Sequence, residues 1–150
     1  MSSMEQSNRK RVLVVDDEKG VRRLVCQILR HDYTILEAQD GEEAVNMAHS
    51  QEPDLIIMDM MMPKMDGLTA CRAIKQDQAT RGIAVVMLTA IGYDLNRKLA
   101  ENVAGAAAYL TKPFDTQELL KTVGRLLSLK SQTPDATMTE VPNNVEESKG

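Results

Sequence analysis

Five polar residues stand behind apolar runs: Asp16 and Asp17 behind "RVLVV", Asp59 behind "DLIIM", Thr89 behind "IAVVML", and Lys112 just after "AAYL". Brought together, these carboxylates, the hydroxyl and the ammonium would form a site of hard oxygen donors with one fixed positive charge. Carboxylates in close contact repel by something like 4 kcal/mol per pair at an effective dielectric near 20, so such a cluster requires a cation. Oxygen ligands suit magnesium, which keeps several waters and needs only one or two protein carboxylates. Taken singly, each residue also has a plainer use. Asp16 or Asp17 could cap a helix, Thr89 could be an N-cap, and Lys112 could be a solvated turn residue. What separates the two readings is whether the chain carries all five to one edge.

The pattern of elements does so. Short apolar runs alternate with stretches of helical periodicity, as in βα units around a parallel sheet. "RVLVV" (11–15) is continuous and apolar, as a strand covered on both faces should be. Val21, Leu24, Val25, Ile28 and Leu29 then form one helical stripe. "TILEA" (34–38) is a weaker second strand, and Asp40-Gly41 opens a helix carrying Ala44, Val45 and Ala48. "DLIIM" (54–58) is the third strand, followed by a helix over 67–76 with Leu68, Cys71 and Ile74 inward. "IAVVML" (83–88) is the fourth, and Leu95, Leu99 and Val103 mark its helix. "AAYL" (107–110) is the fifth, and Asp115 caps a last helix with the stripe Leu119, Leu120, Val123, Leu126 and Leu127. The fold class is therefore α/β, a doubly wound five-stranded parallel sheet. In such sheets ligands bind beyond the carboxyl ends of the strands, which is where the five polar residues fall.

Composition narrows the function classes. The 150 residues hold one domain plus tails, and 43% hydrophobic content is enough for a core. A net charge of -4 and a pI near 5.2 give no basic field for direct nucleic-acid binding. Cys26 and Cys71 sit in helical patterns without zinc or disulfide spacing, so buried, reduced thiols are expected. His31 and His49 lack ligand partners at useful spacing and read as surface or boundary residues. No apolar run approaches the roughly 18 residues of a membrane span, and "MSSMEQSNRKR" has no signal-peptide core, which points to a cytoplasmic protein with no membrane contact. Residues 1–9 read as a flexible tail, 10–129 as the domain, and 130–150 as a tail too polar to offset its ordering entropy. The methionines at 58, 60, 61, 62 and 65 could suggest copper(I), yet Met58 lies in a buried strand and the others in a loop.

The set "VLVVDD", "DLIIMDMMMPKMDG", "VVMLTA" and "AAYLTKPF" resembles the receiver domain of two-component response regulators, over roughly residues 10–129. The resemblance implies a flavodoxin-like (βα)5 three-layer sandwich with strand order 2-1-3-4-5. It implies that Asp59 is the phosphoacceptor and that Asp16, Asp17, Asp59 and the backbone carbonyl of Met61 hold Mg2+. Thr89 and Lys112 would contact phosphoryl oxygens, and Pro113 would follow a cis peptide. Thr89 and Tyr109 would form the switch pair, the aromatic ring moving into space left by the hydroxyl. The output face would be the helix after the fourth strand, the fifth strand and the last helix. The expected partners are a sensor histidine kinase or phosphotransfer protein and a downstream protein target, with no nucleic acid bound directly. "AGAAAY" (104–109) lacks the acidic pair that supports dimers on that face in similar proteins, so a monomer is expected, with a dimer as the alternative. Met61 and Ile91 occupy positions that govern water access in the family; two apolar residues there should slow self-dephosphorylation. Other outcomes are a constitutive binding module with vestigial phosphorylation, a receiver fragment of a longer regulator, and an enzyme. Aspartate-nucleophile phosphatases usually carry a second Asp where Met61 stands, and flavin sites need a phosphate loop and aromatic walls that "VVDDEKG" does not supply.

Overall fold

The computed structural model describes residues 9–90 and 105–132. The expected helix over Leu95, Leu99 and Val103, Ile91, and most of both tails lie outside them. The described elements are β1 (Arg11–Val15), α1 (Lys19–Leu29), β2 (Thr34–Ala38), α2 (Gly41–Gln51), β3 (Leu55–Asp59), α3 (Gly67–Gln76), β4 (Ala84–Ala90), β5 (Ala108–Lys112) and α4 (Thr116–Gln132). The strands form one parallel sheet in the order β2-β1-β3-β4-β5, the order expected.

Strand periodicity divides the core in two. Leu13, Val15, Ile56, Met58, Val85 and Met87 face Ala44 and Ala48 of α2 and Ala70, Cys71 and Ile74 of α3. Their neighbours Val12, Val14, Leu55, Ile57, Val86 and Leu88 face Val25 and Leu29 of α1 and Leu119, Val123 and Leu127 of α4. The side chains alternate between faces as the pleat requires, and both faces are covered, which is why the strands read as unbroken apolar runs.

Two Asp-Gly pairs open helices in the same way. Asp40 accepts from the Glu43 amide and Asp66 from the Thr69 amide, each at 2.8 Å, satisfying an orphan donor of the first turn. The glycines are required by close approach. A Cβ on Gly41 would strike the Met65 carbonyl oxygen, and one on Gly67 would strike the Asp59 carbonyl oxygen and come within 2.9 Å of Met60 Cα. Gly67 thus lets α3 start directly against the residue that ends β3.

Several boundaries differ from the sequence reading, among them that of β3, which spans Leu55–Asp59 where 54–58 was expected. β4 runs through Thr89 to Ala90 and β5 through Thr111 to Lys112, because the ladder between them continues past the apolar run, pairing Thr89 with Thr111 and Ala90 with Lys112. α4 continues to Gln132, past the boundary at 129, with no proline before position 134 to stop it. Leu24, placed in the α1 stripe by its spacing, is 50% exposed at the edge of that stripe. Cys71 is buried, Cys26 is half-buried, and neither is in a disulfide.

Candidate functional site

The edge of the sheet is built by register. Val15 of β1 lies beside Met58 of β3, so Asp16, one residue on, stands level with Asp59 at the strand ends. These two strands are where the winding reverses, one half of the chain passing to β2 and the other to β4 and β5. One oxygen from each of Asp16, Asp17 and Asp59 lies within 4.8 Å of the others. Asp16 and Asp59 are buried and Asp17 is exposed. Lys112 reaches across from β5, its Nζ 2.8 Å from Asp59 Oδ1 and 3.2 Å from Asp16 Oδ2. The Lys112–Pro113 peptide is cis.

Asp16 is held from several directions. Its Oδ1 accepts from the Glu18 amide at 2.9 Å and its carbonyl accepts from Arg22 Nη1 at 2.8 Å, while Arg22 Nε pairs with Glu37 at 2.9 Å. Glu18, not an aspartate, occupies the N-cap of α1 and makes no side-chain cap, so capping does not account for Asp16 or Asp17. Arg22 and Glu18 were not singled out in the sequence; an arginine in a first helical turn carries no motif, and its role appears only when the turn brings it over the Asp16 carbonyl.

Thr89 lies in β4 one residue beyond Leu88, which pairs with Asp59, and it is buried. Its hydroxyl donates to the Leu110 carbonyl at 3.5 Å, a long hydrogen bond. Tyr109 is half-buried against the core layer under α2 and α3, beside Met87 and on the same face of the sheet as Thr89. Met61 follows β3 with 72% of its surface exposed and lines a cleft of about 210 Å3 together with Asp17, Glu18, Asp59, Ala90 and Lys112.

The electrostatics favour a cation. Burial is the largest influence on Asp59 and pushes its carboxyl above the usual range, Asp16 and Asp17 push the same way, and Lys112 opposes them. For Lys112 burial works against the charged form, yet Asp59 and Asp16 outweigh it and the ammonium is held above its ordinary value. One ammonium against three carboxylates leaves negative charge uncompensated, and every available donor is a hard oxygen. The residues fit magnesium.

The chain matches the response regulator receiver domain over residues 12–124. It belongs to that family. The chain is 42% identical over 131 residues to the transcriptional regulatory protein ResD of Bacillus subtilis, covering 87% of this chain and 53% of that protein. It therefore spans about half the length of the curated relatives it matches. A putative response regulator from Chloroflexus aurantiacus superposes with a TM-score of 0.76 at 37% identity, over 81% of this chain and 99% of that one. The receiver domain of the sensor histidine kinase PA1611 from Pseudomonas aeruginosa superposes with a TM-score of 0.72 at 31% identity, over 80% of this chain and 98% of that one; its structure has a magnesium ion coordinated in the active-site cleft. Receiver domains are regulatory phosphoacceptor domains of two-component systems and bind magnesium in an acidic pocket. No helix among the described residues is long and apolar enough to cross a membrane.

Proposed function

We propose that the chain accepts a phosphoryl group on Asp59 from a sensor histidine kinase or phosphotransfer protein and converts that event into a change on a protein-binding face. The observation that carries this is the meeting of Asp16, Asp17 and Asp59 within 4.8 Å, with Lys112 Nζ 2.8 Å from Asp59. An Asp59 oxygen forms a bond to phosphorus as the P–N bond to the donor imidazole breaks, and the imidazole takes up a proton as it leaves. Lys112, already against Asp59 Oδ1, follows the charge onto a phosphoryl oxygen. Asp16, Asp17, Asp59 and the Met61 carbonyl are the ligands for magnesium in this reading, and its charge offsets that of the transferring group. Thr89 gives up only a 3.5 Å hydrogen bond to Leu110 when its hydroxyl turns to the phosphoryl group. Tyr109, on the same face of the sheet, takes the vacated space and alters the surface of β5, α4 and the helix expected after β4. Such a site acts on its own phosphoryl group alone, which sets it apart from an enzyme, and cytoplasmic placement goes with it.

The donor has a seat beside the site. An apolar groove of about 410 Å3 between α1 and the start of α4 is lined by Val21, Leu24, Ala90, Lys112, Pro113 and Phe114. Ala90 and Lys112 also line the acidic cleft, so a protein presenting a phosphorylated histidine to Asp59 covers this groove. Output is assigned to protein contact by a monomer, with no nucleic acid bound directly. A second reading, a receiver that works as one part of a longer regulator, is favoured by the chain's spanning about half of ResD.

Incubation with magnesium and acetyl phosphate, read by intact mass, tests the acceptor. A gain of one phosphoryl group in the wild type and none in Asp59→Ala is expected. A wild type that gains nothing, or an Asp59→Ala protein that gains as much, overturns the proposal.

A further inference from the structure

Seven of the methionines lie in described segments, and their environments differ sharply. Met58 and Met87 are fully buried, Met60 is 5% exposed, and Met47, Met62 and Met65 are partly buried, whereas Met61 is 72% exposed. Among the described residues Met61 is also the methionine that lines the acidic cleft, next to Asp59 and Lys112. Its thioether therefore stands in solvent on the route by which water reaches the acceptor carboxylate.

Thioether sulfur needs no deprotonation to react with a peroxide. A sulfur lone pair attacks one peroxide oxygen, the O–O bond breaks, the sulfoxide S–O bond forms and the second oxygen leaves as water. Sulfur loses two electrons and the peroxide gains them. Oxidation of this kind follows exposure. The two thiols are poor competitors, because burial pushes Cys26 and Cys71 up to about 11 and leaves little thiolate at neutral pH.

We propose that Met61 is an oxidation site and that its sulfoxide shortens the life of the phosphoryl group on Asp59. The first half stands on exposure alone; the second rests on the acceptor role proposed for Asp59. A methionine side chain offers water no strong acceptor, and it forms an apolar lip to the cleft. The sulfoxide oxygen is a strong acceptor at the same place and holds a water beside phosphorus. Attack by that water forms a new P–O bond as the bond to Asp59 breaks, releasing inorganic phosphate and the carboxylate. One added hydrogen bond to the attacking water corresponds to about five-fold in rate.

The test begins on unphosphorylated protein exposed to hydrogen peroxide, with sulfoxides located by peptide mass spectrometry. Met61 is expected to oxidise at least about tenfold faster than Met58, Met60 or Met87, following exposure. Oxidised and untreated protein are then labelled with acetyl phosphate and the decay of the label is followed. Decay about five-fold faster after oxidation, restored by methionine sulfoxide reductases and unchanged by peroxide in Met61→Leu, is the expected result. Equal oxidation of Met61 and the buried methionines overturns the site. Equal decay before and after oxidation, or peroxide sensitivity retained in Met61→Leu, overturns its effect on the phosphoryl group. Protein that oxidises at Met61 and takes no label overturns the acceptor role and leaves the oxidation site standing.

Discussion

At the scale of single residues the site is a balance that tips toward repulsion. Asp59 is held above its ordinary range by burial and by two neighbouring carboxylates, against the pull of Lys112. A carboxyl whose folded value is raised binds more protons in the folded state than in the unfolded one. Between the ordinary aspartate value of 3.8 and the raised folded value, stability therefore falls as pH rises, and the loss is complete above the folded value. Asp59→Asn should accordingly be more stable than the wild type at pH 7 without magnesium, by on the order of 1 kcal/mol, the repulsion being largely offset by the Lys112 contact. The gain should shrink as pH is lowered toward 4 and should narrow when magnesium is added. Thermal melts across that range, with chelator or magnesium, would measure both; a variant less stable than wild type at pH 7 in chelator would contradict the sign. Lys112→Ala should move the other way, losing stability at neutral pH because Asp16 and Asp59 then lose the ammonium within 3.2 Å that they share.

At the scale of elements, much was legible and the exceptions have physical causes. β1 and β2 coincide with the apolar runs because pairing ends where those runs end. β4 and β5 extend further because backbone hydrogen bonds do not require apolar side chains, and the extension is what carries Thr89 and Lys112 into the ladder. The helix starting at Gly67 was readable, but not that Gly67 is needed because the Asp59 carbonyl passes against it. That contact arises between segments, and no local pattern encodes it. Gly67→Ala should cost about 1–3 kcal/mol through overpacking and should also lower labelling of Asp59, since the displaced backbone belongs to the proposed acceptor; Gly82→Ala, where a Cβ meets nothing within 4 Å, is the control. Denaturant melts beside acetyl phosphate labelling would separate the two effects. His49 shows the same limit of local reading. It is exposed, as expected, yet its Nε2 lies 2.8 Å from Asp77 Oδ2 across 28 positions, joining the end of α2 to the turn after α3. The hydrogen bond to Asp77 holds the imidazole above its ordinary 6.5, so the contribution of this pair is present below that value and is lost as pH rises through the raised one. Asp77 is lowered, first by the Ala79 amide and then by His49, so at the acid end the contribution is lost as pH falls through its folded value. Proton NMR titration of His49 in wild type and Asp77→Asn should show the raised value returning toward 6.5 in the variant.

At the scale of the whole molecule, the sheet brings chemistry and recognition to one rim. The polar strand ends could be read from the sequence because each follows an apolar run, and Asp16, Asp17 and Asp59 meet at one edge. The groove beside it could not be read, because Leu24 looks like any other member of the α1 stripe and Phe114 like a residue between strand and helix. Only the docking of α1 beside the end of β5 leaves Leu24 half exposed next to Pro113 and Phe114. This separation allows the reaction and the encounter to be altered independently. In the proposed function a small phosphodonor enters the cleft past Met61 and Lys112 and has no use for the groove, whereas a protein donor desolvates it to bring its imidazole to Asp59. Leu24→Glu places a charge in an apolar contact at a position already half exposed, so the folded state should lose little, within about 0.5 kcal/mol. Labelling by acetyl phosphate should be unchanged. Transfer from a phosphorylated histidine donor should slow by at least about five-fold, the usual effect of losing a central apolar contact worth more than 1 kcal/mol. Equal slowing with both donors would place Leu24 in the chemistry of the cleft, and no slowing with the protein donor would show that the donor approaches Asp59 from another side.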